Sequence, residues 1–191
     1  MRTTNLGRIP LDSGQIPRGI PLRRLTLAAA VAAAALLPST ARAQEHVALA
    51  INGWRSSDGG DGIVAFNCAS RICAAESEVS YKRQPHRPEL TLAAFEAHHR
   101  KLATEISGTG RVRELRVSAP RERVVEGVRV LQVRREFDWI DGTRHVLIEG
   151  RLIGPQKSYT LMSSSAELEW STNNFEGFLP RIVDIALLNN P

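Results

Sequence analysis

The sequence predicts an α+β domain, a twisted antiparallel β-sheet flanked by helices. Three observations carry this. Four strand-like segments joined by short turns occupy Val112–Ala119, Val124–Ile140, His145–Ile153 and Lys157–Ser164, the pattern of an antiparallel meander. Ahead of them Leu92, Phe95, His99, Leu102 and Ile106 recur at spacings of three and four, one apolar stripe on a helix. Behind them "STNNFEGFLPRIVDIALLNN" places Phe175, Phe178, Leu179, Ile182 and Ala186 on the apolar face of a closing helix.

The chain opens on a different kind of segment. Arg23 and Arg24 precede a 13-residue apolar run, Leu25–Leu37; Pro38 follows, then Ala41-Arg42-Ala43. These are the basic, apolar and small-residue regions of a secretory signal. The run is shorter than the ~20 residues of a membrane span. Thr26, soon after the arginine pair, favours the general secretory route over the twin-arginine one, and no cysteine follows for lipid attachment. The expectation is a signal peptide over 1–43, a flexible lead-in over 44–61, and one α+β domain over 62–191, exported to the periplasm or beyond with no membrane span left. Cleavage after Ala43 would expose Gln44-Glu45-His46, whose amine, amides and imidazole form a square-planar nitrogen set for Cu(II) or Ni(II). A frayed terminus with an incidental histidine is the alternative.

Removing that segment changes the charge argument. The chain holds 25 basic and 20 acidic residues, net +5. Six arginines and Asp12 lie in residues 1–43, which leaves 19 residues of each sign. The basic excess belongs to the leader, so nucleic-acid binding loses its compositional support.

"SSDGGDG" (56–62) reads as a glycine-rich loop, too poor in oxygen ligands for an EF-type calcium site. "VALAIN" before it suggests a strand, as do Ile63–Asn67 and Glu78–Arg83 after it. Cys68 and Cys73 are the only cysteines. An oxidising compartment favours their pairing. A zinc site would need more ligands nearby, and residues 47–85 contain no histidine. A redox pair reads Cys-x-x-Cys, a shorter spacing. The expectation is a structural disulfide worth roughly 2 kcal/mol, with two free thiols as the alternative.

Pro85 and Pro88 bound a linker. Thr91 caps the first helix, and Gly108 and Gly110 end it. Asp141-Gly142 marks a hairpin and Gly154-Pro155 the next turn. Pro180 should kink the closing helix or open its main turn.

This order of elements resembles the PsbP-like α/β/α fold. The likeness rests on "SEVSYKRQPHRPELTLAAFEAHHRKLATEI", the hairpins, and "SYTLMSSSAELEWSTNNFEGFLPRIVDIALL", and spans about residues 62–188. Proteins of that family include bacterial exported proteins of unknown role and photosystem accessory subunits, mostly non-enzymatic. The resemblance therefore implies an accessory role and brings no catalytic motif. The Cys68–Cys73 pair is not part of the family pattern.

The residues agree with a binding role more than with catalysis. The chain has no phosphate-binding glycine loop, no His-Glu-x-x-His and no Gly-x-Ser-x-Gly, and Ser163–Ser165 have no histidine close in sequence. No catalytic residue, metal ligand or cofactor is assigned. His98 and His99 point about 100° apart on a helix, a poor start for a shared metal. Residues 111–135 hold eight arginines against three glutamates. With strand period two, Arg111 and Arg113 share a face, as do Arg129 and Arg135, and with Trp139 they could form a basic surface for an acidic protein or an anionic envelope ligand. A solvated face of cross-strand ion pairs is the alternative. Trp54 and Trp170 are further candidate aromatic anchors. The sequence thus points to an exported, non-catalytic envelope accessory or binding module. Its rival is a small periplasmic hydrolase or metal-binding protein using His98, His99 or His145.

Overall fold

The computed structural model describes residues 51–188, apart from 71, 72 and 75, together with Leu49. The expected signal peptide and the Gln44-Glu45-His46 terminus lie outside the described residues. Ten elements follow in order: β1 (Trp54–Gly60), β2 (Ile63–Cys68), β3 (Glu78–Gln84), α1 (Leu92–Gly108), β4 (Val112–Val117), β5 (Arg121–Val125), β6 (Val128–Trp139), β7 (Arg144–Ile153), β8 (Ser158–Ser165) and α2 (Leu168–Leu187). The eight strands form one sheet in the order β1-β2-β3-β8-β7-β6-β4, and β5 pairs with β6. Every pairing is antiparallel. At twelve residues β6 is long enough to take two partners on one edge. Its first half pairs with β5 and its second half with β4.

Period two sorts the side chains of β6. Val128 and Val130 join the core cluster built by Phe175, Phe178, Leu179, Ile182 and Val183 of α2. Leu131 and Val133 join a second cluster around Phe95 of α1. The larger cluster also holds Phe66, Val79, Ile148, Leu152 and Leu161 from β2, β3, β7 and β8. α2 buries its whole marked stripe, whereas on α1 Phe95 and His99 are buried and Leu92, Leu102 and Ile106 are only partly so. Thr91 caps α1, its Oγ1 accepting from the Ala94 amide at 3.1 Å. On α2, helix continues on both sides of Pro180, which sits exposed.

Two expectations about local structure are corrected. Residues 56–62 are not a loop. Trp54–Gly60 forms the edge strand β1, paired with β2 from Trp54↔Cys68 to Gly60↔Ile63. Trp54 anchors it, edge-on to Phe178 with ring centroids 5.1 Å apart. Nor is 124–140 one strand: β5 and β6 form a hairpin with Val125 opposite Val128. Both hairpins turn on two residues of positive φ, Asp61 (51°) with Gly62 (76°) and Glu126 (50°) with Gly127 (85°), the turn whose twist suits antiparallel strands. Of the strand suggested over "VALAIN", residues 47, 48 and 50 lie outside the described residues and Leu49, Ile51 and Asn52 are not in a strand, though Leu49 and Ile51 pack on the α2 core. Cys68 and Cys73 lie at disulfide-bond distance, 1.98 Å, across the connection from β2 to β3. No helix among the described residues is long and apolar enough to cross a membrane.

Candidate functional site

The sheet face under α1 carries the densest group of buried charge. Arg135 of β6 and Glu149 of β7 lie diagonally on adjacent strands, two positions apart in register and on the same face, since Val133 faces Glu149 and Arg135 faces Leu147. Their side chains form an ion pair through Arg135 Nη2 and Glu149 Oε2. Arg135 is only 4% exposed. Burial lowers its pKa, and the Glu149 charge partly offsets this.

His99 of α1 closes over the pair. It is 1% exposed, stacks edge-on against Phe95 at 4.3 Å, and brings Nε2 to 3.7 Å from Glu149 Oε1, too far for a hydrogen bond. Burial, then the charges of Arg135, His98 and Arg151, push its pKa down to about 3. A base works best with a pKa near the working pH, and an imidazole that protonates near 3 is far from that. Glu149, for its part, is taken by Arg135. Phe95 and His99 pack α1 against this part of the sheet.

The sign of the His99 shift sets a pH dependence. An unfolded histidine protonates below about 6.5, whereas folded His99 stays neutral until about 3. The unfolded state then binds more protons, so stability is lost as pH falls through that window. Between pH 7 and 4.5 we expect His99 to account for about 2–3 kcal/mol of lost stability. Urea unfolding of wild type and His99→Leu at both values checks this. The variant should lose correspondingly less on acidification; an unchanged pH difference refutes the assignment.

The other histidines do not converge on this point. His98 is exposed, with its ring centroid 5.2 Å from that of His99, and His145 is half-buried opposite Phe137. Among the described residues no three His, Cys, Asp or Glu side chains are grouped to hold a metal ion. The sequence reading missed a contact between His86 Nδ1 and Ser158 Oγ at 3.1 Å. Ser158 is buried, which withholds its hydroxyl from a substrate in solution.

The eight arginines of residues 111–135 divide by partner. Arg116 meets Glu114, Glu136 and Asp138 at 2.8, 3.5 and 3.2 Å. Arg134 and Arg144 also converge on Glu136, at 3.1 and 2.8 Å. Burial alone would raise the pKa of Glu136, but the Arg144 hydrogen bond and the charges of Arg134, Arg116 and Arg144 hold it below its ordinary value. Arg123 binds Glu176 of α2 at 2.6 Å. Arg129 binds Glu122 at 2.9 Å and donates to the carbonyls of Pro88 and Leu90 at 2.9 and 3.2 Å, which fastens the linker before α1. Arg111, Arg113 and Arg121 are exposed and have no acidic partner within ion-pair distance among the described residues.

The four arginines read from sequence as one face therefore separate. Arg129 and Arg135 do share a face of β6, but both guanidinium groups are engaged. Arg111 lies one residue before β4, and Arg113 sits at an irregularity where Val112 pairs with Trp139 and Glu114 with Asp138. That irregularity breaks the period that would align the two. Both remain beside the end of β6. The Ile140 amide donates to the Arg111 carbonyl at 3.2 Å, Trp139 stacks on Phe137 at 5.5 Å, and Ile140 is 66% exposed. Trp54 is committed to Phe178, and Trp170 is half-buried on α2.

No protein-family model and no curated protein matches the sequence. Among solved structures the chain is similar to cyanobacterial PsbP (CyanoP) from Synechocystis sp. PCC 6803, at 19% identity and a TM-score of 0.48, over 65% of this chain and 76% of that one. It is also similar to a protein of unknown function, PA94 from Pseudomonas aeruginosa, at 10% identity and a TM-score of 0.43, over 74% of this chain and 90% of that one. At these values neither likeness bears on what the chain does.

Proposed function

We propose that this chain is an exported, non-catalytic binding module of α/β/α layered build that docks an acidic partner of the cell envelope at one corner of its sheet. The carrying observation is the division of the arginines. Five of the eight are neutralised inside the fold, while Arg111 and Arg113 stand unpaired beside half-buried Trp139 and exposed Ile140. Arginine and large aromatic side chains dominate recognition surfaces, and an exposed apolar residue between them adds area that water leaves at a gain. The docking surface thus keeps Arg111, Arg113 and Trp139 of the sequence reading and omits Arg129 and Arg135. The cysteine pair at bonding distance supports an oxidising compartment.

The test is capture from an envelope extract with the full chain as bait. The partner should be recovered by wild type and by Arg55→Glu, whose arginine lies on the opposite sheet edge, and lost with Arg111→Glu/Arg113→Glu. Added salt should weaken capture, since exposed charges are screened within about 8–10 Å. Capture indifferent to the double reversal, together with a turnover abolished by His99→Ala, would favour the hydrolase reading.

A further inference from the structure

The third unpaired arginine, Arg121, stands at a different place, on the α2 side of the sheet. There a cavity of about 240 Å³ opens where β4 hands over to β5 along the edge of β6. Its walls include Arg121, Gln132, Arg134, Ile148, and Leu168 and Thr172 from the first turns of α2. None of the residues that line it is acidic. Gln132 is 3% exposed, and its Oε1 has no hydrogen-bond partner. A buried carboxamide left unsatisfied costs free energy unless something else completes it. Leu168 leaves 38% of its surface in solvent. Thr172 is occupied internally, its Oγ1 donating to the Leu168 carbonyl at 2.8 Å, and Arg134 is held by Glu136 at 3.1 Å. The open valences are the Arg121 guanidinium and the Gln132 Oε1 acceptor, and the open apolar surfaces are Ile148 and Leu168.

We propose that this cavity binds a small apolar carboxylate, with Arg121 taking the carboxylate, Ile148 and Leu168 the apolar body, and Gln132 Oε1 accepting from an N–H or O–H of the ligand. Guanidinium and carboxylate match in a two-point hydrogen-bonded pair, which would fix the orientation of the anion. The volume lies below the ~300–1,000 Å³ of pockets for drug-sized molecules, so the occupant is a short-chain organic acid or the apolar C-terminal residue of a peptide. Both present the same chemistry.

The probes are 2-hydroxy-4-methylpentanoate, whose hydroxyl can donate to Gln132, a pentapeptide ending in leucine with a free carboxylate, and the same peptide amidated. The full chain is titrated with each while the Gln132 side-chain amide is followed by NMR and affinity by calorimetry. At least one carboxylate probe should move the Gln132 resonance saturably, and the amidated peptide should not. Arg121→Gln should weaken that binding by about tenfold or more, the loss of a charge-assisted hydrogen bond, while Arg55→Gln leaves it unchanged. Binding of the free acid alone assigns the site to small acids; equal or tighter binding of the peptide assigns it to peptide termini. No movement of Gln132 with either carboxylate at millimolar concentration overturns the proposal, as does binding that survives Arg121→Gln.

Discussion

Glu149→Gln is expected to cost about 3–5 kcal/mol, because it removes one partner of a buried ion pair and leaves the other charged. Arg135 cannot turn to water, at 4% exposure. Its Nε already lacks a hydrogen-bond partner, so Glu149 is its compensating contact. His99 offers no relief, being uncharged near neutral pH with neither ring nitrogen bonded. The decisive comparison is the double variant Glu149→Gln/Arg135→Met. With the charge also gone, an apolar chain of similar length should pack against Leu131, Val133 and Phe95, the apolar cluster on the same face. Most of the loss should then return, since replacing a whole buried pair is often neutral. Urea unfolding at pH 7 reads both. A single variant within ~1 kcal/mol of wild type, or a double variant no better than the single, would show that Arg135 is solvated some other way.

Local periodicity explains which parts of the fold were legible in the sequence. The α1 stripe was readable because Leu92, Phe95, His99, Leu102 and Ile106 lie one above another and face one way. The same stripe placed His99 inside, though not against an ion pair from two strands. In β1, by contrast, every residue after Trp54 is exposed, so there is no alternation to read. Its glycines and aspartates read as a loop, yet Asp61-Gly62 is the same kind of hairpin signal as Asp141-Gly142. β5 disappeared into β6 because "VVEGVRVLQV" has valines on both sides of Glu126-Gly127, which is not one of the common two-residue hairpin signals. Several side chains of β6 are buried on both faces, which erases the period of two. The arginine pairings were beyond reach for another reason. Arg116 finds Glu136 twenty residues on, and Arg123 finds Glu176 fifty-three residues on. Composition shows that charges balance, whereas only the strand order decides which arginine is left over. The cavity, too, draws Arg121, Gln132 and Leu168 from three elements, with no spacing to join them.

The second large effect expected is at Phe175, where Phe175→Ala should cost about 3–5 kcal/mol. The ring is fully buried in the main core, over the one glycine inside β7. A Cβ at Gly150 would lie 2.6 Å from Phe175 Cζ and 3.0 Å from Cε2, closer than atoms pack. Glycine weakens a strand interior, so its presence here reflects the close approach of the ring. Gly150→Ala by itself should therefore cost about 1–3 kcal/mol, since the enclosed ring has nowhere to withdraw. The two sites are bound by one contact, which makes their combination informative. In Phe175→Ala the space above Gly150 is empty, and the added methyl enters it without a clash. The double variant should then be more stable than the sum of the two single losses predicts, by about 1–3 kcal/mol, the range for residues in direct contact. Additivity to within ~0.5 kcal/mol would mean that α2 does not seat Phe175 on Gly150, and the register of α2 against β7 would have to be redrawn.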